Sequence, residues 1–181
     1  PSGLGVLTFP RFSGLTTQIS IGLEYGSNSD SPDDAGTAHF LEHLVAGGSE
    51  KRIQLSRDIE RLGGCLDYFT THDYTMVQAD FAPDKVAPAS VILSQILFDS
   101  ASFEKEKFER ERKIILHEIA EASDNPWVII EEALAKCLFK THPVRLPVSG
   151  YRNTVTRLSQ EETEKTHLTQ YAPRNAILIL T

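Results

Sequence analysis

One segment of five residues, His39-Phe40-Leu41-Glu42-His43, constrains this chain more than any other. On an α-helix, residues at positions i and i+4 lie on one face, one turn apart. Two imidazoles at that spacing can reach a single cation, and zinc accepts neutral histidine nitrogens at about 2.0–2.1 Å, usually in a four-ligand site. The segment therefore predicts a helix on which His39 and His43 bind zinc.

The glutamate of this segment has the position of a general base. Glu42 follows His39 by three residues and therefore projects beside the histidine pair. Zinc lowers the pKa of a bound water towards ~7, and a carboxylate beside it can accept the proton. H-x-x-E-H reverses the order of H-E-x-x-H and is the signature of inverzincins. The motif predicts zinc-dependent hydrolysis.

The alternative is a surface helix that carries two histidines and a solvated glutamate. Glycines flank the segment at Gly36 and at Gly47-Gly48, and apolar Phe40, Leu41 and Leu44 alternate with its polar residues. This pattern is not typical of a simple exposed face.

Two histidines leave zinc without a third protein ligand. A long charged helix is predicted over 104–122, and its candidate glutamates are Glu106, Glu109, Glu111, Glu118 and Glu121. Spacing does not choose among them, and glutamates on such a helix are usually solvated. Glu111 and Glu118 are seven residues apart, so they share a face. The apolar segment 114–116 between them indicates that this part of the helix borders the core.

Hydrophobic periodicity and end signals predict the remaining elements. Strands are expected at 16–25, 65–70, 74–81 and 175–180. Helices are expected from near 34–37 to 47–48, then at 53–62, 86–98, 104–122 and 126–139, and from a capping box at 159–162 to about 171. Strands near both ends with helices between them predict an α+β fold, with one mostly antiparallel sheet covered by helices.

Length and charge limit the other classes of function. A chain of 181 residues suits one domain, and its formal net charge of −7 without a basic, aromatic-rich patch argues against a nucleic-acid partner. No apolar run approaches the roughly 18 residues that a membrane span needs. We expect a soluble protein without a membrane partner.

The cysteines and the first residues bear on the compartment. Cys65 and Cys137 lack metal-type spacing, so we expect two reduced thiols in the core and a reducing compartment such as the cytoplasm. The start, Pro1-Ser2-Gly3, lacks Met and is typical of neither a signal nor a transit peptide. We therefore expect a processed or trimmed chain, in which targeting information is missing rather than absent.

The motifs together resemble the pitrilysin family, which includes insulin-degrading enzyme and the mitochondrial processing peptidase. The segment 36–44 is similar to the family's zinc helix, and Glu111-Arg112, Ile114-Ile115 and Glu118 are similar to its second motif. Residues near 62–64, 70, 124–126 and 171–175 follow in the family's order, so the resemblance covers about 4–181. It implies that Glu118 is the third zinc ligand and that Glu111 assists catalysis.

The chain departs from the family on the strand after residue 64. There the family usually has an Asn-Ala pair that binds substrate backbone, whereas this chain has Asp67-Tyr68. The resemblance implies that Asp67, Tyr68 and Phe69 contact substrate. A bulky tyrosine and an acidic aspartate change which peptides fit.

Length is the larger departure from the family. Family chains contain at least two such units, which pair to enclose a chamber. The resemblance implies that 1–181 is a single zinc-bearing peptidase unit, whose partner is a C-terminal unit, a second homologous chain or a second copy. In the family, the second unit normally supplies an Arg and a Tyr that hold the substrate. Nothing in the sequence assigns that role to Arg145, Arg152 or Tyr151.

Three hypotheses follow from the motifs and the resemblance. The first is a zinc endopeptidase, or the catalytic half of one, that acts on peptides or unfolded segments with Glu42 as general base. The second is a non-catalytic structural or assembly subunit of the same fold, although such relatives typically have damaged zinc motifs and all four matching positions are intact here. The third is a unit that binds zinc but is inert without its partner.

Overall fold

The structure is a computed structural model that describes residues 2–10, 14–99 and 103–181. Pro1, the first residue of the expected trimmed start, lies outside the described residues. The described strands are β1 (Gly5–Thr8), β2 (Thr17–Leu23), β3 (Cys65–Thr70), β4 (Thr75–Phe81) and β5 (Ala176–Leu180). The described α-helices are α1 (Thr37–Gly47), α2 (Glu50–Arg61), α3 (Val86–Phe98), α4 (Lys105–Ser123), α5 (Pro126–Leu138), α6 (Arg152–Arg157) and α7 (Gln160–Gln170).

The five strands form one sheet in the order β1-β5-β2-β4-β3. The outer pair of β1 and β5 is parallel, and the other three pairs are antiparallel. The predicted α+β fold with one mostly antiparallel sheet covered by helices is confirmed. β3 lies at an end of this order, so one of its edges is not paired by the described strands.

Alternation along the central strands places the core on one face of the sheet. Ile19, Ile21 and Leu23 of β2 are at most 4% exposed, and Val77, Ala79 and Phe81 of β4 at most 1%. The metal-motif helix α1 packs its apolar face into this core, where Phe40, Leu41 and Leu44 are fully buried. Each such side chain contributes ~1.5–3 kcal/mol to stability. This burial holds α1 in place while its other face carries the polar motif.

A second helix packs alongside α1 and brings the charged segment to the motif. The rings of Phe40 in α1 and Phe108 in α4 lie 4.8 Å apart, and Arg112 of α4 lies over both rings. The Arg112 guanidinium also donates to the carbonyl oxygen of Val155 within α6 and to that of Leu158, the residue after this helix. These contacts order the face of α4 that turns towards α1.

Most predicted elements agree with the structure to within a few residues. The main shift is in α2, which begins at Glu50 rather than Ile53 because the Ser49 side chain accepts a hydrogen bond from the Arg52 amide. The short elements β1 and α6 were not predicted.

The expectation that both cysteines lie in the core is wrong. Cys65 and Cys137 are free thiols, as expected, but both are exposed. Cys65 begins the edge strand β3, and Cys137 lies on α5, a helix that buries none of its residues. Within the described ranges, no helix combines the length and the apolar character that crossing a membrane requires.

Candidate metal centre

Three side chains from two helices converge at the predicted zinc motif. His39 and His43 project from α1, with ring centroids 4.8 Å apart, and Glu118 projects from α4. The Glu118 Oε2 lies 3.4 Å from His43 Nε2 and 3.8 Å from His39 Nε2. One ligand atom from each residue lies within 4.8 Å of the others.

The spacing of these atoms fits a zinc ion. Tetrahedral bonds of about 2.0–2.1 Å separate ligand atoms by roughly 3.4 Å. The two distances from Glu118, 3.4 and 3.8 Å, are close to this value, and the two histidine donor atoms lie within 4.8 Å of each other. Two imidazole nitrogens and one carboxylate oxygen are a donor set that catalytic zinc sites use, with a fourth position left for water or substrate. The arrangement is therefore suited to hold zinc.

A buried glutamate orients the second histidine. Glu111, 5% exposed, lies with Oε2 3.4 Å from Nδ1 of His43, while Oε1 accepts hydrogen bonds from Arg110. Burial opposes the charge on Glu111, but the bonds from His43 and Arg110 outweigh it and lower its pKa. A carboxylate on Nδ1 leaves Nε2 of His43 free to face the metal, which is the usual support for a metal-binding histidine.

The pKa values of the two histidines are shifted in opposite directions. Burial, followed by the nearby His43, lowers the pKa of His39 to about 4, so the ring is neutral at neutral pH. Burial also opposes the charge on His43, but Glu111 and Glu118 outweigh it and raise the pKa of His43. Among the described residues, Nδ1 of His39 is buried without a hydrogen-bond partner. The neutral form of the ring, which binds a cation, therefore persists to lower pH in His39 than in His43.

The predicted general base lies beside the cluster and is held from a different element. The Thr70 hydroxyl of β3 donates to Oε2 of Glu42 at 2.6 Å. Burial raises the pKa of Glu42, while the bond from Thr70 acts in the opposite direction. A carboxylate with a raised pKa holds a transferred proton more readily than a solvated one.

The three candidate substrate residues line two clefts that Glu42 also borders. A cleft of about 510 Å³ lies between the end of β3, α5 and the loop 144–149, and both His39 and Glu42 reach its wall. Tyr68 and Phe69 line this cleft, and Asp67 lines a smaller one with Glu42 and His43. The Tyr68 hydroxyl lies 3.3 Å from Ser56, and the Asp67 carboxylate accepts from Gln78.

The structure separates the glutamates that spacing left open. Glu111 and Glu118 face α1. The other three do not reach the motif: Glu109 pairs with Arg112 and Glu121 with His117, both on α4 itself, and Glu106 is exposed. Thr70 and Arg110 are contacts of the site that sequence reasoning missed. Arg110 precedes Glu111 directly, but adjacent helix residues do not normally face each other. The partner of Thr70 lies 28 residues away, and no sequence signal indicates that contact.

An α+β unit in which two histidines of one helix and a glutamate of another converge has the side chains of a metal-binding unit. Residues 13–151 match the family described as Insulinase (Peptidase family M16). The chain belongs to peptidase family M16, and the resemblance to the pitrilysin family is confirmed.

Relatives and solved structures agree with this membership. The chain is 28% identical over 182 residues to an uncharacterised zinc protease of Mycobacterium tuberculosis, covering 98% of this chain and 41% of that protein. It is 31% identical over 174 residues to a probable mitochondrial-processing peptidase subunit beta of Arabidopsis thaliana. This match covers 93% of this chain and 33% of that protein.

Two solved structures share the fold at low identity. A protease from Helicobacter pylori matches with a TM-score of 0.91 at 19% identity, over 99% of this chain and 44% of that one. An inactive M16 peptidase domain from Pseudomonas fluorescens matches with a TM-score of 0.88 at 17% identity. This match covers 99% of this chain and 44% of that one. The chain thus spans less than half the length of these proteins.

Proposed function

We propose that this chain is the zinc-bearing unit of a peptidase that hydrolyses peptides, with His39, His43 and Glu118 as metal ligands. The observation that carries the proposal is the convergence of these three donors within 4.8 Å, with Glu42 of the same motif beside them. Names of relatives as zinc proteases support zinc as the metal.

In such a reaction the side chains around the metal have separate roles. Bound zinc supplies a Lewis acid, which lowers the pKa of water and polarises a carbonyl oxygen. Glu42 accepts the proton of the attacking water and returns it to the leaving amine. Glu111 acts through His43, whose Nδ1 it holds, and Arg110 keeps Glu111 ionised. In this proposal Glu111 positions a ligand and does not touch the substrate.

The edge strand offers a place for the peptide backbone. β3 pairs with β4 on one side only among the described strands, and its residues 66–70 border both clefts beside Glu42. An extended peptide can add to such an edge through main-chain hydrogen bonds. We propose that Asp67, Tyr68 and Phe69 contact the substrate there.

Three variants test the function. Purified protein should hold about one zinc per chain by metal analysis, and His39→Ala or Glu118→Gln should lose it. Glu42→Gln should keep the zinc and lose peptide hydrolysis by about 10²–10⁴-fold, the usual contribution of a general base. A fully active Glu42→Gln variant would contradict the mechanism.

A second candidate function is zinc binding without hydrolysis in this unit alone. It is favoured by length, because the chain covers 41% of the mycobacterial relative and 33% of the plant one. An inactive M16 domain also shares the fold. In that case 1–181 is one unit whose activity depends on a further unit of the same polypeptide or on a partner. A non-catalytic assembly subunit is less well supported than a zinc-binding unit that needs a partner, because His39, Glu42, His43 and Glu118 are all present.

A further inference from the structure

Thr70 is held rigidly beside the proposed general base. It is the last residue of β3 and pairs with Thr75 of β4. The amide of the next residue, Thr71, donates to the carbonyl oxygen of Tyr74 at 2.8 Å and closes the turn. From this scaffold the Thr70 hydroxyl reaches Glu42 Oε2 at 2.6 Å. The contact joins the sheet to the motif helix at the reacting carboxylate.

The direction of this hydrogen bond follows from the neighbouring hydroxyl. A threonine hydroxyl has one proton to donate. Thr75 donates its proton to the carbonyl oxygen of Tyr25 at 2.9 Å, so it can only accept at its 3.4 Å contact with Thr70. The shorter, charge-assisted contact with Glu42 therefore receives the proton of Thr70.

This bond distinguishes the two oxygens of the Glu42 carboxylate. Oε2 is held by Thr70, whereas Oε1 has no hydrogen-bond partner among the residues that the structure describes. The terminal torsion of a glutamate is broad, so an unheld carboxylate rotates freely. We propose that Thr70 is a positioning residue that fixes the Glu42 carboxylate and leaves Oε1 to take the proton of water. This inference rests on the proposed peptidase function.

Kinetics of matched threonine variants provide the first test. Thr70→Val keeps the shape of the side chain and removes the hydroxyl, so kcat should fall about 10–100-fold, which corresponds to one charge-assisted hydrogen bond. KM and zinc content should stay within twofold, and Thr70→Ser should restore kcat. Thr71→Val is the control, because among the described residues the Thr71 side chain bonds only within the turn at Tyr74. It should lower stability and leave kcat unchanged.

A binding measurement keeps the test valid if this unit is inert alone. Acetohydroxamate chelates zinc and shares its proton with a neighbouring carboxylate, so its affinity for the zinc-loaded protein reports the position of Glu42. The Kd should rise about tenfold in Thr70→Val, by loss of one hydrogen bond, and stay unchanged in Thr70→Ser and Thr71→Val.

The two proposals fail in different ways. Wild-type protein that binds no zinc, or a fully active Glu42→Gln variant, would overturn the proposed function and the role of Thr70 with it. Zinc-loaded wild type that binds acetohydroxamate, together with a Thr70→Val variant of equal Kd and equal kcat, would overturn the role of Thr70 alone.

Discussion

At the scale of single residues, Asp30 is a buried carboxylate at the start of the metal-motif helix. It is 5% exposed and accepts hydrogen bonds from the amides of Gly36 and Ala38 and from the hydroxyl of Tyr25. Burial disfavours its charge more than these bonds favour it, and raises the pKa of Asp30 to about 7. The charge at the start of α1 therefore depends on pH near neutrality.

The raised pKa of Asp30 predicts the direction in which stability changes with pH. The folded-state pKa of about 7 lies above the ordinary value of 3.8, so the folded protein binds more protons than the unfolded chain between these values. The contribution of Asp30 to the free energy of unfolding should therefore fall as pH rises from 4 to 7, by up to about 1.4 kcal/mol per pH unit. Asn cannot titrate, so the stability of wild type minus that of Asp30→Asn should fall over this range.

Urea unfolding at several pH values measures this difference. Ser123→Ala, at an exposed site without a titratable side chain, is the control and should give a difference that does not change with pH. A pH-independent difference for Asp30→Asn as well would show that folding does not raise the pKa of Asp30.

Glu111 gives the second prediction at this scale. Glu111→Gln keeps the size of the side chain but removes the charge that holds His43 Nδ1. Loss of such support typically weakens metal binding about 10–100-fold, which competition with a chelator measures. Glu121→Gln, on the exposed side of the same helix, should bind zinc as wild type does. Equal affinities of the two variants would show that Glu111 does not support the metal.

The positions of His39, Glu42 and His43 could be predicted because helix periodicity alone brings i and i+4 together. Glu118 and Glu111 needed the family resemblance, because their approach to α1 depends on how two helices pack. Thr70 could not be predicted as a partner of Glu42. Its contact exists because a strand end and a helix that are distant in sequence lie side by side at the cleft, and no local sequence pattern indicates such a contact.

At the scale of elements, the start of α1 is held by close backbone packing as well as by Asp30. Its first flanking residue, Gly36, has φ 100° and provides no capping side chain. A β-carbon on Gly36 would lie 2.7 Å from the Ser149 carbonyl oxygen, and one on Gly150, at φ 72°, 2.1 Å from that of Ala35. The loop before α6 therefore packs directly against the start of the helix.

This packing predicts an unequal cost for two glycine substitutions. Gly150→Ala adds a clash with the backbone to the strain of a positive φ. Gly63 has φ 80° but open space around its β-carbon, so Gly63→Ala should cost only about 1–2 kcal/mol of conformational strain. Urea unfolding should show a larger loss for Gly150→Ala, together with weaker zinc binding because α1 shifts. Equal losses in the two variants would mean that the loop relaxes away from α1.

Long elements with strong periodicity could be predicted, and short ones could not. α3 agrees with its predicted bounds because its apolar spacing is continuous and Pro88 falls in its first turn. β1 has four exposed residues, so it shows no alternation of burial, and it forms only because β5 lies beside it. α6 is six residues long, and its Thr154 is held by the carbonyl oxygen of Ala35, far away in sequence. Tertiary contacts decide such elements.

At the scale of the whole molecule, the site lies in an open cleft. The Glu118 side chain is 40% exposed, and α5, which forms one wall of the larger cleft, buries none of its residues. Nothing in the local sequence of one unit indicates what covers the cleft. The greater length of the relatives is the observation that suggests a further unit.

An open cleft predicts that a second unit raises activity without changing the metal site. The peptide that we propose to add to β3 would contact the protein from one side, and water would reach the rest of it. A unit that covers the cleft would exclude that water and fix the peptide, so kcat/KM for a fluorogenic peptide should rise at least about tenfold. Titration of a candidate C-terminal unit should give a saturable rise while zinc stays near one per chain, and the mixture with Glu42→Gln should remain inactive. Full activity of 1–181 alone, or no rise from a unit that co-elutes with it, would show that one unit is sufficient or that the partner acts elsewhere.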